Sequence, residues 1–212
     1  MTIIDEVQKL PEILDEVPNL IEENSFRFLL AGSSTRKLKR QNANMLGGRA
    51  GSAALFPLTW FEIQGTQLNL DRALRYGTIP RIYLAENADE ELYAYVDLYL
   101  KEEIQAEALV RSLPNFSRVL KLAALASSEQ INYANIASDL GLSAKTIKEY
   151  YEILQDTLLG FELPVWKSGR KRKTSSTAKY FLFDLGVIHT LTGTKALDRN
   201  SDLFGRSFEH FF

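Results

Sequence analysis

The residues best suited to chemistry begin at the fifth position. Met1-Thr2-Ile3-Ile4 is an apolar run that reads as the end of a buried strand, and Asp5-Glu6 follow at once. In a parallel α/β sheet such an acid pair sits at the carboxyl edge, where ligands bind. There Asp5 would hold Mg²⁺ through water, because Mg²⁺ prefers oxygen ligands and keeps part of its hydration. Glu6 would orient or polarise an attacking water. A solvated strand end is the plainer reading of the same residues. Ser33 and Ser34 close the next apolar run, Phe26–Ala31, and would lie beside the acids with hydroxyls for a phosphate or a water. A turn capping the following helix is the simpler alternative. Arg49 stands in a Gly-Gly-Arg-Ala-Gly stretch, where the backbone can approach a ligand and a guanidinium can stabilise phosphoryl charge. Arg36 is a weaker candidate for the same work.

These residues need a scaffold. Glu12–Glu23 carries Ile13, Leu14, Val17, Leu20 and Ile21 at helical spacing. The run Phe26–Ala31 reads as a second buried strand, 36–40 as a basic helix and Ala53–Leu58 as a third strand. Strand, helix, strand, helix, strand is the rhythm of a parallel sheet. Thr59 and Glu62 have the spacing of a capping box. Helices are expected over 71–76, 89–111 and 115–127.

Residues 132–155 read as helix-turn-helix. Tyr133–Leu140 forms the first helix, Gly141 a left-handed turn, and Ser143 the cap of a helix carrying Ile147, Tyr150, Tyr151 and Leu154. Two strand-like runs follow, 159–166 and 179–184. Between them Lys167–Lys179 holds six Lys or Arg and no acid. Helix-turn-helix followed by a hairpin with a basic tip is a winged helix. Lys145, Thr146 and Lys148 would face outward from its second helix, and Lys167, Arg170, Lys171, Arg172 and Lys173 would crowd the wing. That face could neutralise DNA phosphates, and binding would then fall steeply with salt. Glu149, Glu152 and Asp156 share the helix and count against DNA contact; a protein-interaction module is the alternative.

The order of these features resembles a family of prokaryotic AAA-type ATPases with a winged helix and a C-terminal domain of unknown function. The resemblance rests on IIDEVQKLPEIL, FLLAGSSTRKL, LGGRAGSAALFPLTWFEI, RYGTIPRIYL, ASDLGLSAKTIKEYYEILQDT, KYFLFDLGV and LFGRSFEHFF, in that order. It implies an α/β fold: a partial P-loop NTPase core with a parallel sheet over 1–66, a helical lid over 67–127, a winged helix over 128–190, and the start of a further domain over 191–212. It also implies that Asp5-Glu6 is the Walker B pair, that Ser33 or Ser34 is sensor 1, and that Arg49 stabilises charge. Complete relatives would use ATP and Mg²⁺ and assemble as AAA-type oligomers. The 212 residues contain no G-x-x-x-x-G-K-[ST] loop; Gly193-Thr194-Lys195 has the wrong spacing. The expectation is therefore a fragment that binds ATP poorly and does not hydrolyse it alone. Gly205-Arg206-Ser207-Phe208-Glu209 matches the opening of the family's last domain, and Glu209 is expected to be a surface acid.

The bulk numbers set outer limits. Hydrophobic residues make up 45% of the chain and charged residues 25%, as in ordinary globular proteins. A net charge of −2 supplies no global basic field, so any DNA contact must be local. Without cysteine there are no disulfides or thiolate metal sites, which fits a cytoplasmic setting, and two distant histidines make no metal cluster. No apolar run is long enough for a membrane helix. A half-core would expose apolar faces, so self-association is expected.

Overall fold

The structure is a computed structural model, and it describes residues 1–10, 12–24, 26–32, 50–64, 69–99, 112–166 and 178–212. The chain divides into two compact units, 1–55 and 56–212.

In the first unit, strand β1 (Thr2–Ile4) leads through a short 3-10 turn (Val7–Lys9) into helix α1 (Ile13–Asn24), and β2 (Phe28–Leu30) follows. β1 and β2 pair in parallel, with Ile3 opposite Leu29. Pairing continues beyond the strands: Ala31 N donates to Ile4 O at 2.9 Å and Val7 N to Ala31 O at 3.0 Å. Val7, Leu14 and Val17 are buried. The expected burial of both strands is not observed, because Ile3 is 62% exposed and Leu29 52%. Among the described residues of this unit, two strands and one helix can cover only one sheet face. The expected third strand is also absent. Residues 53–58 are described and pair with no strand, and Leu55 is almost fully exposed. Pro57 withholds a donor there, and Leu58 N bonds instead to Thr78 O at 2.9 Å. The expected helix at 36–40 lies outside the described residues.

The second unit begins with helix α2 (Trp60–Ile63), and the capping box forms as its spacing predicts. Glu62 Oε2 accepts from Thr59 N and from Thr59 Oγ1, both at 2.8 Å. Helices α3 (Leu70–Tyr76), α4 (Pro80–Tyr83) and α5 (Ala88–Ala94) follow. Asn69 and Asn87 cap α3 and α5 through their side-chain oxygens. α5 passes into a π-helical turn, Tyr95–Tyr99, where one regular helix from 89 onward is expected. The rest of that expected helix, 100–111, lies outside the described residues.

Helix α6 (Leu113–Leu125) buries Phe116, Val119, Leu120, Ala123 and Ala124. Helices α7 (Tyr133–Leu140) and α8 (Ala144–Asp156) are joined at Gly141, whose φ of 65° is left-handed. Ser143 Oγ accepts from Thr146 N at 3.0 Å and caps α8. Strands β3 (Gly160–Leu163) and β4 (Lys179–Leu182) pair antiparallel. On its other side β4 bonds to residues 128–131, through Tyr180 N to Glu129 O and Ser128 N to Tyr180 O. Helices α9 (Leu185–Thr192) and α10 (Asp202–Phe211) complete the unit.

One core runs through most of these elements. Leu74 of α3, Phe116 and Leu120 of α6, Ile147 and Tyr151 of α8, Tyr180 of β4 and Ile188 of α9 belong to it. α9 can approach α3 so closely because Gly186 has no side chain; a Cβ there would collide with the Tyr76 carbonyl. Replacing Gly186 by Ala should therefore lower unfolding stability by about 1–3 kcal/mol. Gly205→Ala, at an open and exposed position on α10, should be neutral or raise it by about 0.5–1 kcal/mol. Chemical denaturation of the two variants checks the contrast.

Candidate functional site

In the first unit the parallel pairing places Asp5 directly beyond the carboxyl end of β1, and Ala31-Gly32 beyond that of β2. Asp5 is exposed, and its Oδ1 accepts from Glu6 N at 2.9 Å. Glu6 adopts φ 52°, a left-handed conformation that is uncommon for a residue with a side chain. Its carboxylate lies 3.4 Å from Lys9 Nζ. Two carboxylates at a strand's carboxyl edge can take a hydrated divalent cation. Ser33, Ser34 and Arg49, the other members of the expected constellation, lie outside the described residues.

In the second unit the nucleic-acid candidates Lys145 and Lys148 are exposed on α8. Lys148 Nζ lies 3.9 Å from Glu152, and exposed Glu149 sits between them in sequence, so the helix face is charge-balanced. Lys179 pairs with Glu209 at 2.8 Å. Glu209 is thus a surface acid with a partner on β4. Arg170, Lys171, Arg172 and Lys173 lie outside the described residues.

A feature of this unit that sequence reading missed is Asp184. Only 3% exposed, it caps α9. Its Oδ2 accepts from Thr78 N at 2.7 Å and its Oδ1 from Val187 N at 3.1 Å. Burial pushes its carboxyl up to about 6, against the pull of backbone N–H groups from Thr78, Val187, Gly186 and Ile79. Gly77, at φ 72°, makes room for it, since a Cβ there would meet the carboxylate. The available signal was an acid after an apolar run and before Leu-Gly, the pattern of a helix cap. Near Asp184 lies a pocket of about 600 Å³, lined mainly by apolar residues including Trp60, Phe161, Phe183 and Phe211.

His189 is buried here, and His210 is half-buried. His189 Nε2 lies 3.1 Å from Leu74 O and 3.4 Å from Ser207 Oγ, while Nδ1 has no partner among the described residues. His210 Nδ1 lies 3.5 Å from Ser127 Oγ. Burial holds each ring's pKa down at about 4.

Residues 67–198 match the family model described as a domain of unknown function, DUF8612, which spans more than half of the chain. The chain belongs to the DUF8612 family. Ahead of its DUF8612 domain, residues 1–64 match a model described as an AAA domain. Uncharacterized proteins of Mycobacterium tuberculosis and Mycobacterium bovis are each 26% identical over 98% of this chain and 48% of their own length. An uncharacterized protein of Haemophilus influenzae is 23% identical over 91% of this chain and 52% of its own. The DUF8612 chain thus spans about half the length of the curated relatives it matches. No solved structure matches it. No helix among the described residues is long and apolar enough to cross a membrane.

The enclosed groups fix a pH dependence. The histidines titrate lower when folded than when unfolded, so acidification from about 6.5 to about 4 favours unfolding. Asp184 titrates higher when folded, so the stability it contributes is present below about 4 and is lost as pH rises through about 6. Two groups oppose one. The protein should melt at a lower temperature at pH 5 than at pH 7.5. A His189→Gln, His210→Gln double variant should lose that slope or reverse it, as thermal scans at the two pH values would show.

Proposed function

We propose that this chain is the later part of an AAA-type nucleotide-binding core joined to a helical lid and a winged helix. Asp5 and Glu6 are then the Walker B pair, with Asp5 on Mg²⁺ through water and Glu6 acting on the attacking water. Ser33 or Ser34 senses the γ-phosphate, and Arg49 stabilises charge on it. The observation that carries this reading is the parallel β1–β2 pair, with the acid pair immediately past the first strand's carboxyl end. The AAA-domain match over 1–64 supports it. The winged-helix reading of 128–190 draws support from α7, the turn at Gly141, α8, and a hairpin whose inner strand also bonds to 128–131.

ATP and Mg²⁺ belong to the complete relatives in this reading. The residues present here include no P-loop lysine or amide cradle, so the chain by itself holds nucleotide weakly and releases no phosphate. Titration with labelled ATP and Mg²⁺ should show no saturation at millimolar nucleotide. In the full-length mycobacterial relative, changing the corresponding acid pair to Ala should reduce ATP hydrolysis to background. Saturable ATP binding by this chain that Asp5→Ala, Glu6→Ala abolishes would contradict the inactivity. Unchanged hydrolysis in the relative would contradict the assigned roles.

A second reading, duplex DNA binding through Lys145, Lys148 and Arg170–Lys173, is favoured by the six cations without an acid between 167 and 179. If it holds, duplex affinity falls steeply with salt and is lost when residues 170–173 become Ala. If it fails, anisotropy of a labelled duplex stays flat at low salt.

A further inference from the structure

Among the described residues, no strand pairs with the outer edge of β3. Phe183 N donates to Leu159 O, which makes that pair a hydrogen-bonded one. In an antiparallel ladder bonded and non-bonded pairs alternate, so Phe161–Phe181 and Leu163–Lys179 are bonded and Glu162–Tyr180 is not. The opposite edge agrees, because the Tyr180 N–H and C=O are spent on Glu129 and Ser128, away from β3. The N–H and C=O of Glu162 therefore point outward from the sheet, and neither has a partner among the described residues. Glu162 is exposed, with its side chain held by Tyr133 Oη at 2.7 Å.

What flanks this edge is apolar. Phe161 is 52% exposed although it stacks on Phe181 at 5.5 Å between ring centres, and Leu163, two residues on, is equally exposed. Gly160 and Phe161 of the same strand form part of the pocket wall, together with Trp60 and Phe211. An outward backbone donor and acceptor beside an aromatic-walled cavity selects its occupant by chemistry. A flat apolar ligand would fill the cavity and make no use of the edge. A nucleic acid offers no regular ladder of amides. An extended peptide meets both demands, with main-chain bonds to the edge and an alternate side chain in the pocket.

We propose that β3 is a docking edge for an extended segment of a partner protein, which adds a strand at Glu162 and places a large apolar side chain in the pocket walled by Trp60, Phe161 and Phe211. Affinity then comes from main-chain bonds and specificity from the pocketed side chain.

The test is selection of random twelve-residue peptides on the full chain, followed by anisotropy titration of the enriched sequence. Glu162→Pro removes the outward N–H and leaves the bonds between β3 and β4 intact. Glu162→Gln keeps that N–H and serves as control. Enriched peptides with apolar residues at alternate positions, bound at least tenfold more weakly by Glu162→Pro and normally by Glu162→Gln, support the proposal. N-methylation of alternate peptide amides should give the same loss, and it reads the edge even if the proline variant does not fold. Absence of enrichment, or affinity indifferent both to the proline and to N-methylation, overturns it. So does sedimentation showing a dimer that Glu162→Pro dissociates, since the occupant would then be a second copy of the chain.

Discussion

The second unit depends on a buried carboxyl group. Asp184 is enclosed, and an enclosed acid is tolerated only when donors surround it. Here the donors are main-chain amides from two segments that are far apart in sequence: Thr78 and Ile79 after α3, Gly186 and Val187 at the start of α9. The same carboxylate therefore caps one helix and ties down the loop that ends another. Two glycines make the arrangement possible. Gly77 leaves space for the carboxylate, and Gly186 lets the start of α9 meet the Tyr76 carbonyl.

This tie has consequences for packing. It holds α3 against α9 closely enough for Leu74 to join the core built by α6, α7, α8 and β4. α10 then seats on that body through Ser207, next to His189, through His210 against Phe181, and through the outer pairs Arg206–Glu129 and Lys179–Glu209. The outer pairs are solvated and contribute little. The contact between Ser207 and His189 matters more, because the buried His189 ring must stay neutral to remain there. Among the described residues, the β3 edge and the outward face of α8 are open to partners. The acid pair belongs to the other unit, where the parallel strands give it a ligand-binding position.

Local rules were the legible part of the sequence. The Thr59–Glu62 box, the left-handed Gly141, the Ser143 cap and the buried stripe of α8 all depend on neighbours within a turn or two. What was not legible depends on distant partners. Ala53–Leu58 has the composition of a strand, but Pro57 and the bond from Leu58 to Thr78 commit it elsewhere. Phe181 to Leu185 reads as an apolar run broken by an acid, and nothing local says that the acid will be enclosed by amides from residues 78 and 79. The burial of His189 is likewise set by α3 and α10. Of the nucleotide constellation, the acid pair falls in the described structure at the expected strand end, whereas Ser33, Ser34 and Arg49 lie outside it.

The central claim is that Asp184 makes α3 to α10 one cooperative body. Native-state amide hydrogen exchange on the whole chain, beside Asp184→Ala, tests it most directly. If the claim is right, the slowest amides of α3, α6, α8 and α9 share one opening free energy, and the substitution lowers all of them together. If α3 instead opens on its own while α6, α8 and α9 keep their protection in the variant, the helices before residue 100 are a separate layer and the claim is wrong.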